Sequence, residues 1–332
     1  MTMPLPATMR ALQQTSLEGP QDMRLVTDAP VPSPGPGEVL IRVVAAGVNY
    51  ADVSKAHGTF RGGPRPPYLA GFEAAGEVVA LGSQVTGPPL GTLVVGVGDG
   101  AFAEYAVLPA AAAMPVPAGW DAEQALGLVV NRPTALAALR PLGRLAAGET
   151  VLVQAAAGAT GQAAVTLAKH YGATVIATAS PGKHETVRAL GADHVLDSVD
   201  GDVTAEVLRL TGGAGADLVL QAVGGAAFAA GLAAAKPVTG RVVVYGLAGG
   251  EAAITNWDLV YRYQVHVVGF NIGVLIQAAP RVFGELMGEL SAHVAAGVLG
   301  PASPAGYALA DGPKALAELA ARATVGKLAL RP

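Results

Sequence analysis

Residues 150–161 read T-V-L-V-Q-A-A-A-G-A-T-G, a short apolar run followed by a loop of small residues. The run Val151–Val153 is typical of a β-strand, and the chain leaves the loop into a helical pattern over Gln162–Tyr171. The loop has the form A-x-G-x-x-G, a dinucleotide fingerprint with alanine in place of the first glycine. Small residues let the backbone turn sharply and approach a pyrophosphate, whose charge is stabilised by the amides at the helix N-terminus. The alternative is an ordinary tight turn in an alanine-rich protein. The residues predicted to form the nucleotide site are Ala156, Gly158, Ala159, Thr160 and Gly161.

Strand and helix patterns alternate along the chain around this loop. Five or six strands with crossover helices predict a parallel, doubly wound sheet, because parallel strands need such connections. Ligands on these sheets bind at the carboxyl ends of the strands. We therefore predict an α/β fold in which residues 129–273 form a dinucleotide-binding Rossmann domain. The predicted strands after the first are 174–178, 194–196, 217–222, 241–245 and 265–270, and the predicted helices are 162–171, 183–190, 203–210, 226–234 and 257–263.

The first 128 residues have a different pattern, in which short apolar runs are separated by proline and glycine. Strands are predicted over 38–46, 75–81 and 92–97, with long connections between them. The tail from about residue 278 returns to helix and then strand, and we expect it to fold back onto the first domain. The predicted second domain is thus β-rich, formed by residues 1–128 and completed by 274–332.

Composition excludes several classes of protein. The chain has 332 residues, of which 52% are hydrophobic and 14% are charged, and this argues against disorder. With a net charge of -4, the chain lacks the excess of positive charge that binds nucleic acid or an anionic membrane, and we predict neither as a partner. The chain has no cysteine, which excludes disulfides, thiol nucleophiles and thiolate-bound zinc. The simplest expectation is a soluble cytoplasmic protein.

The second predicted Rossmann strand indicates which dinucleotide binds. A fold that prefers NAD usually places an acid about 20 residues beyond the glycines, where it binds the ribose 2′-hydroxyl. Residues 177–180 read A-T-A-S, so no acid is present to repel a 2′-phosphate. Ser180 can donate a hydrogen bond and Lys183 can supply a cation. The pattern favours NADP(H), although Lys183 could instead be a solvated lysine at a helix start.

Five separated segments resemble one family. They are A-A-G-V-N-Y-A-D at 45–52, G-F-E-A-A-G-E-V at 71–78, G-D-G-A-F-A-E-Y at 98–105, A-A-A-G-A-T-G at 155–161 and A-R-A-T-V-G-K-L at 321–328. In this order they resemble the zinc-independent, quinone oxidoreductase-like branch of the medium-chain dehydrogenase/reductase superfamily. The resemblance covers essentially the whole chain. It implies a GroES-like catalytic domain built from both chain ends and a central Rossmann domain that binds NADP(H).

The resemblance also implies roles for single residues. Asn49 matches an active-site asparagine that could orient a substrate carbonyl or the cofactor, and Thr134 matches a threonine beside the nicotinamide. Arg322 matches an arginine that reaches the 2′-phosphate, with Lys183 as its partner. The alternatives without a catalytic or binding role are a capping asparagine, a threonine at a helix start and a surface arginine. The other residues assigned to the cofactor are Ser198, Gly246, Leu247, Phe270, Asn271 and Lys327.

The expected chemistry follows from what the family's zinc-dependent members have and this chain lacks. Their G-H-E block reads Gly71-Phe72-Glu73 here, so His57 and Glu73 alone do not make a three-ligand site, and we predict no metal. Without a Lewis acid, the hydride acceptor must tolerate negative charge, as quinones and α,β-unsaturated carbonyls do.

The identity of the acceptor depends on whether the protein supplies a proton. An enoyl reductase protonates carbon, and Phe60 stands where such relatives often carry tyrosine. Tyr50 is a possible acid, although a packing role is the simpler reading. Quinone reduction can take its protons from water, so we predict an NADPH:quinone oxidoreductase. An enoyl-thioester or enone reductase and a non-catalytic NADPH-binding protein are the alternatives.

The last predicted Rossmann strand indicates an assembly. Residues 265–272 read V-H-V-V-G-F-N-I, and an apolar strand at a sheet edge invites pairing with another chain. We therefore predict a homodimer joined through this edge.

Overall fold

A computed structural model describes residues 5–332. The chain forms two compact units, one made of the residues up to Val129 together with Pro301–Pro332, and the other of Val130–Gly300. The sequence division placed 274–300 with the β-rich domain, whereas the structure places this segment in the second unit. The reason is that Leu286, Leu290 and Leu299 are buried in the core of that unit.

The N-terminal part of the first unit is mainly antiparallel sheet. Strand β3 pairs with β5 and β7, and its alternating Val and Ile side chains are buried on the core face. A three-stranded sheet has the order β2-β1-β4. The elements are β1 (Thr8–Gln14), β2 (Met23–Pro30), β3 (Glu38–Val48), α1 (Tyr50–Ala56), β4 (Tyr68–Leu69), β5 (Glu73–Leu81), β6 (Leu93–Val97), β7 (Tyr105–Pro109) and β8 (Met114–Pro115).

The second unit is a parallel sheet of six strands in the order β11-β10-β9-β12-β13-β14, which confirms the predicted Rossmann topology. One face is covered by α2, α3 and α8, and the other by α5 and α6, so the sheet is doubly wound. The elements are α2 (Asn131–Leu139), β9 (Thr150–Val153), α3 (Ala159–His170), β10 (Thr174–Ala179), α4 (His184–Ala189), β11 (His194–Asp197), α5 (Val203–Leu210), β12 (Leu218–Gln221), α6 (Gly225–Ala234), β13 (Arg241–Val244), β14 (His266–Gly269), α7 (Ile272–Ala278) and α8 (Pro280–Ala295).

The C-terminal tail completes the first unit. Its elements are β15 (Ala305–Ala308), α9 (Gly312–Ala320) and β16 (Leu328–Arg331). Strand β16 pairs antiparallel with β3, so the tail extends the first unit's larger sheet, as the sequence predicted. None of the helices described between residues 5 and 332 has the length and apolarity that crossing a bilayer requires.

One helix of the first unit was not predicted. Helix α1 begins after Asn49, whose side chain accepts the backbone N–H of Asp52, while the Asp52 carboxylate accepts the backbone N–H of Asn49. This capping box satisfies two amides that a helix start would otherwise leave without partners. It also fixes both polar side chains at the first turn of α1.

Candidate active site

The loop between β9 and α3 has the geometry that the fingerprint predicts. Ala155 has a positive φ of 51°, and Ala156 donates its N–H to Thr178 O of the neighbouring strand at 3.0 Å. Gly158 is the N-cap of α3 in extended conformation. The first amides of α3 have no acceptor within the helix and are oriented out of its N-terminus, as an anion-binding turn requires.

The two glycines of the loop differ in the space around them. A Cβ at Gly161 would lie 2.3 Å from Ala155 O and 2.6 Å from Ala156 Cα, so this glycine lets α3 pack closely against the loop. A Cβ at Gly158 would approach protein only at Ala155 O, at 3.4 Å, and the rest of its surroundings are open. The loop therefore fits a pyrophosphate at Gly158, with Gly161 holding the turn behind it.

The polar residues assigned to the 2′-phosphate lie at the same sheet edge. Ser180 and Lys183 follow β10, and Ser198 follows β11 and donates its backbone N–H to Ala179 O at 3.0 Å. Lys183 is half-buried, and burial lowers its pKa. The neighbouring Asp197 carboxylate accepts the N–H of Val199, within its own loop. The edge of the second unit thus presents a cation and two hydroxyls. Arg322, the proposed partner of Lys183, follows α9 in the first unit, and its role stays a prediction.

The residues assigned to the nicotinamide end the next strands of the sheet. Gly246 and Leu247 follow β13, and a Cβ at Gly246 would lie 2.4 Å from Ala222 O. Phe270 continues the pairing of β14 by donating its N–H to Val244 O at 2.8 Å. Asn271 accepts the N–H of Val274 at 3.1 Å and so caps α7. These positions lie at the carboxyl edge, as predicted, and their contacts with a cofactor stay a prediction.

Thr134 is in α2 and its hydroxyl is engaged within the helix. The Thr134 Oγ1 donates to Val130 O at 2.6 Å. The adjacent Asn131 donates from Nδ2 to Thr160 Oγ1 at 3.2 Å, which ties the start of α2 to the start of α3. The threonine can therefore offer a ligand only its lone pairs in this arrangement. Arg132, two residues before Thr134, is buried and donates to Gly300 O at 2.6 Å.

Asn49 is held by a buried polar cluster of the first unit. Its Nδ2 donates to Gly47 O at 3.2 Å and to Glu73 Oε2 at 2.8 Å, and its Oδ1 accepts from Lys327 Nζ at 2.8 Å. With the capping contact from Asp52, each donor and acceptor of the amide has a protein partner. The network fixes which side of the amide carries the oxygen. A substrate would have to replace one of these partners, so the catalytic role of Asn49 stays a prediction.

Glu73 and Lys327 form the centre of this cluster. Their side chains are 2.5 Å apart and are 0% and 4% exposed. Glu73 also accepts the N–H of Gly127 at 2.6 Å through its other oxygen. From the sequence, Glu73 is a conceivable metal ligand and Lys327 is assigned to the cofactor. The structure shows both engaged with each other, and residues 254 positions apart give no sequence signal of such a pairing.

Asp52 is a second acid that sequence reasoning did not single out, although its motif was recognised. It is 4% exposed, and one of its oxygens accepts the N–H of Asn49 at 2.9 Å. Burial raises its pKa to about 7, against the opposing effects of this hydrogen bond and of the Lys55 charge. Tyr50, the possible acid, is partly buried and packs against the core of the first unit.

The raised pKa of Asp52 predicts how stability depends on pH. The native state keeps a proton that the unfolded chain, with an ordinary pKa of 3.8, has released. Stability is therefore lost as the pH rises from about 4 to about 7, at about 1.4 kcal/mol per pKa unit. We expect Asp52→Asn to flatten the dependence of the urea midpoint on pH between about 4 and about 7. Glu77→Gln, at an exposed site, should leave the slope unchanged, and an unchanged slope in Asp52→Asn would contradict the assignment.

No group of three or more His, Cys, Asp or Glu side chains among residues 5–332 is arranged to hold a metal ion. His57 lies at the end of α1 and is exposed, while Glu73 is buried in the ion pair with Lys327. The two conceivable ligands therefore lie in different environments.

Comparisons with known proteins agree with the fold. The zinc-binding dehydrogenase model matches residues 159–291 and the alcohol dehydrogenase GroES-like domain model matches residues 35–118. Prostaglandin reductase-3 of Bos taurus is 39% identical over 257 residues, which are 76% of this chain and 67% of that protein.

Two solved structures share the architecture. Escherichia coli quinone oxidoreductase complexed with NADPH superposes with a TM-score of 0.90 at 27% identity, covering 97% of this chain and 100% of the other. The CurK enoyl reductase has a TM-score of 0.87 at 28% identity, covering 97% and 99%. With its GroES-like unit, its Rossmann sheet and these relatives, the chain belongs to the medium-chain dehydrogenase/reductase superfamily, in the branch of quinone oxidoreductases and enoyl reductases.

Proposed function

We propose that the protein is an NADPH-dependent oxidoreductase that delivers a hydride to a quinone without a metal. The observation that carries the proposal is the carboxyl edge of the six-stranded sheet. There the loop at Ala156–Gly161 is followed, at the end of β10, by Ser180 and Lys183 instead of an acid. This edge fits a pyrophosphate at the start of α3 and a 2′-phosphate beside Lys183.

NADP(H) is the cofactor that this edge fits, and when bound it supplies the hydride. The chain's own residues position it: the α3 amides hold the pyrophosphate, Ser180 and Lys183 hold the 2′-phosphate, and Gly246 lies at the strand end where the nicotinamide is expected. The NADPH bound by the related E. coli quinone oxidoreductase supports this choice. Arg322 is proposed as a second cation for the 2′-phosphate.

The acceptor is proposed from the metal-binding and proton-donating side chains that the sequence lacks. The chain has no thiol, and Phe72 stands where zinc-dependent relatives have histidine, so an alkoxide would have no metal to stabilise it. A quinone spreads the incoming charge over its conjugated ring, and water can supply the proton that completes the hydroquinone. Phe60 has no hydroxyl to protonate carbon, which favours the quinone over an enoyl thioester.

An enone reductase is the second candidate. The 39% identity to prostaglandin reductase-3, a relative that is named for a substrate other than a quinone, favours it. The experiment that separates the two is a panel of NADPH oxidation rates with 1,4-quinones, enones and crotonyl-type thioesters, with NADH in parallel. We expect the highest kcat/KM with quinones. A clear preference for enones or thioesters would select the second candidate, and tight NADPH binding without any turnover would indicate a cofactor-binding protein.

The preference for NADPH gives a prediction about Lys183 and Arg322. Each is expected to contribute a charged hydrogen bond to the 2′-phosphate, so Lys183→Ala and Arg322→Ala should each weaken NADPH binding about 10- to 100-fold. NADH, which lacks this phosphate, should bind as before. Fluorescence titration with both nucleotides measures the effect. Lys169→Ala, which removes a lysine paired with Asp193, is the matched control, and equal weakening of both nucleotides would contradict the assignment.

We also propose a homodimer that pairs two copies of β14. This strand is hydrogen-bonded only to β13 among the described strands, and Val267 on it is 37% exposed. An apolar strand at a sheet edge favours pairing with another chain. Light scattering should give twice the mass of the chain, and Val267→Lys should shift it towards the monomer. A monomeric wild-type protein would end this proposal.

A further inference from the structure

The first unit contains a cavity of about 510 Å³, which lies in the size range of small-molecule sites. Its walls are mainly apolar and come from β1, β4 and the segments around Pro30 and Val107. Four residues with polar side chains lie on the wall: Lys55, Tyr68, Asp99 and Tyr105. An apolar cavity with few polar groups is typical of a site for an apolar molecule that carries one charged or polar end.

Lys55 is the cation of this cavity, and two aromatic rings hold its ammonium. The Lys55 Nζ lies 4.5 Å from the ring centroid of Phe72 and 5.6 Å from that of Phe60. In the part of the chain that the structure describes, this ammonium makes neither an ion pair nor a hydrogen bond. Its three N–H donors are therefore available to a ligand or to water.

The carboxyl groups around Lys55 do not neutralise it. Asp52, on the same helix, is buried and interacts with Lys55 only through longer-range attraction. Burial raises the pKa of Asp52 to about 7, so near neutral pH it carries only part of its charge. Asp99 lines the same cavity but is exposed, and it forms no ion pair with Lys55. The half-buried charge inside the cavity is thus positive, while the negative charge is exposed to solvent.

The cavity shares chain segments with the Asn49 cluster. Gly71 in its wall precedes Phe72, which contacts Lys55, and Glu73, which holds Asn49. Asn49 caps the start of α1 and Lys55 lies six positions further along this helix, or about 9 Å along its axis. The cavity and the polar cluster that contains the proposed active-site asparagine are therefore built from neighbouring parts of the same unit.

We propose that this cavity binds the acceptor of the proposed reduction, and that Lys55 selects acceptors that carry a carboxylate. The substrate class is a conjugated carbonyl compound with an apolar body and one carboxylate, which forms a charged hydrogen bond with Lys55 Nζ. That the bound molecule is the hydride acceptor rests on the proposed function, whereas the binding of its carboxylate rests on the cavity alone. Lys55 is a specificity residue in this scheme and takes part in no proton transfer.

The test compares a carboxylate with its methyl ester. A 1,4-naphthoquinone with a carboxypropyl chain and the methyl ester of the same compound are assayed with NADPH, using wild type, Lys55→Met and Lys55→Arg. Lys55→Met should raise KM for the acid about 10- to 100-fold, the size of a lost charged hydrogen bond, and leave KM for the ester within about twofold. Lys55→Arg should keep most of the preference. Asp99→Asn should lower KM for the acid, because it removes a repelling charge.

Binding without turnover separates this inference from the proposed function. Calorimetric titration of 4-phenylbutanoate and its methyl ester into the protein without nucleotide should show the same dependence on Lys55. Lys314→Met, at an exposed lysine of α9, is the matched control for the loss of a positive charge. Equal effects of Lys55→Met on acid and ester, or no effect on either, would overturn the inference. Lys55-dependent binding of the acid in a protein that reduces no quinone would support the cavity and refute the proposed reaction.

Discussion

Glu73→Ala is expected to lower the free energy of unfolding by about 3–5 kcal/mol, because it removes the carboxylate that forms a buried ion pair with the Lys327 ammonium. Lys327 is 4% exposed and Glu73 is 0% exposed, so solvent screens this pair little. The variant also removes the acceptors of two further donors, Asn49 Nδ2 and the Gly127 N–H. Each unsatisfied buried donor adds to the destabilisation. Urea denaturation followed by circular dichroism measures the loss.

An exposed ion pair on the same strand supplies the control. Glu77 is also on β5 and pairs with Arg42 of β3, but their side chains are 39% and 57% exposed. Glu77→Ala should therefore cost about 1 kcal/mol or less. A similar loss in the two variants would mean that the buried cluster is not the source of the effect. The double variant Glu73→Gln with Lys327→Met should be more stable than Glu73→Ala, because it removes both charges of the buried pair together.

The cluster also shows how far sequence could reach. The motif around Asn49 and the terminal G-K segment were both recognised, so Asn49 and Lys327 were each identified as candidate site residues. What could not be predicted is that Asn49, Glu73 and Lys327 share one set of hydrogen bonds. Their contact arises because β16 pairs with β3 from the far end of the chain. Local patterns contain no information on a pairing between residues 47 and 329.

The Rossmann unit was easier to predict, since its signals are local. Each strand and its following helix are short stretches with their own periodicity, and the order of the six strands follows from crossover connections. The helix pair α7–α8 was harder to assign. The apolar face of an amphipathic helix such as Pro280–Ala295 is predictable from sequence, but the unit against which it packs is not. In the structure, Leu286 and Leu290 of this helix are buried in the core of the second unit.

Lys55 illustrates a third limit. In the sequence, Phe60 and Phe72 stand out for what they lack, a hydroxyl and a metal-binding ring. In the structure their rings hold the ammonium of Lys55, so the same two substitutions create a surface for a cation. Side-chain contact between three residues on different turns and strands is set by tertiary packing, and it changes the meaning of both aromatic residues.

Gly161→Ala is the second variant with a large expected effect, and it should impair both folding and nucleotide binding. The new Cβ would lie 2.3 Å from Ala155 O and 2.6 Å from Ala156 Cα, distances that require the loop and α3 to move apart. We expect a loss of stability of about 1–3 kcal/mol, as for other overpacked sites, and NADPH binding at least about 100-fold weaker. Thermal unfolding and fluorescence titration measure the two effects separately.

Gly158→Ala separates the loss of nucleotide binding from the loss of stability, since its Cβ would meet only Ala155 O, at 3.4 Å. Its stability should match wild type, while NADPH binding weakens because the methyl group occupies the space of the pyrophosphate. Gly288→Ala, in an open part of α8, should leave binding unchanged and stabilise the helix by up to about 1 kcal/mol. If Gly158→Ala binds NADPH as wild type does, the loop is a structural turn and the nucleotide lies elsewhere. A loss of binding in Gly158→Ala without a loss of stability instead assigns the open side of this loop to the phosphates.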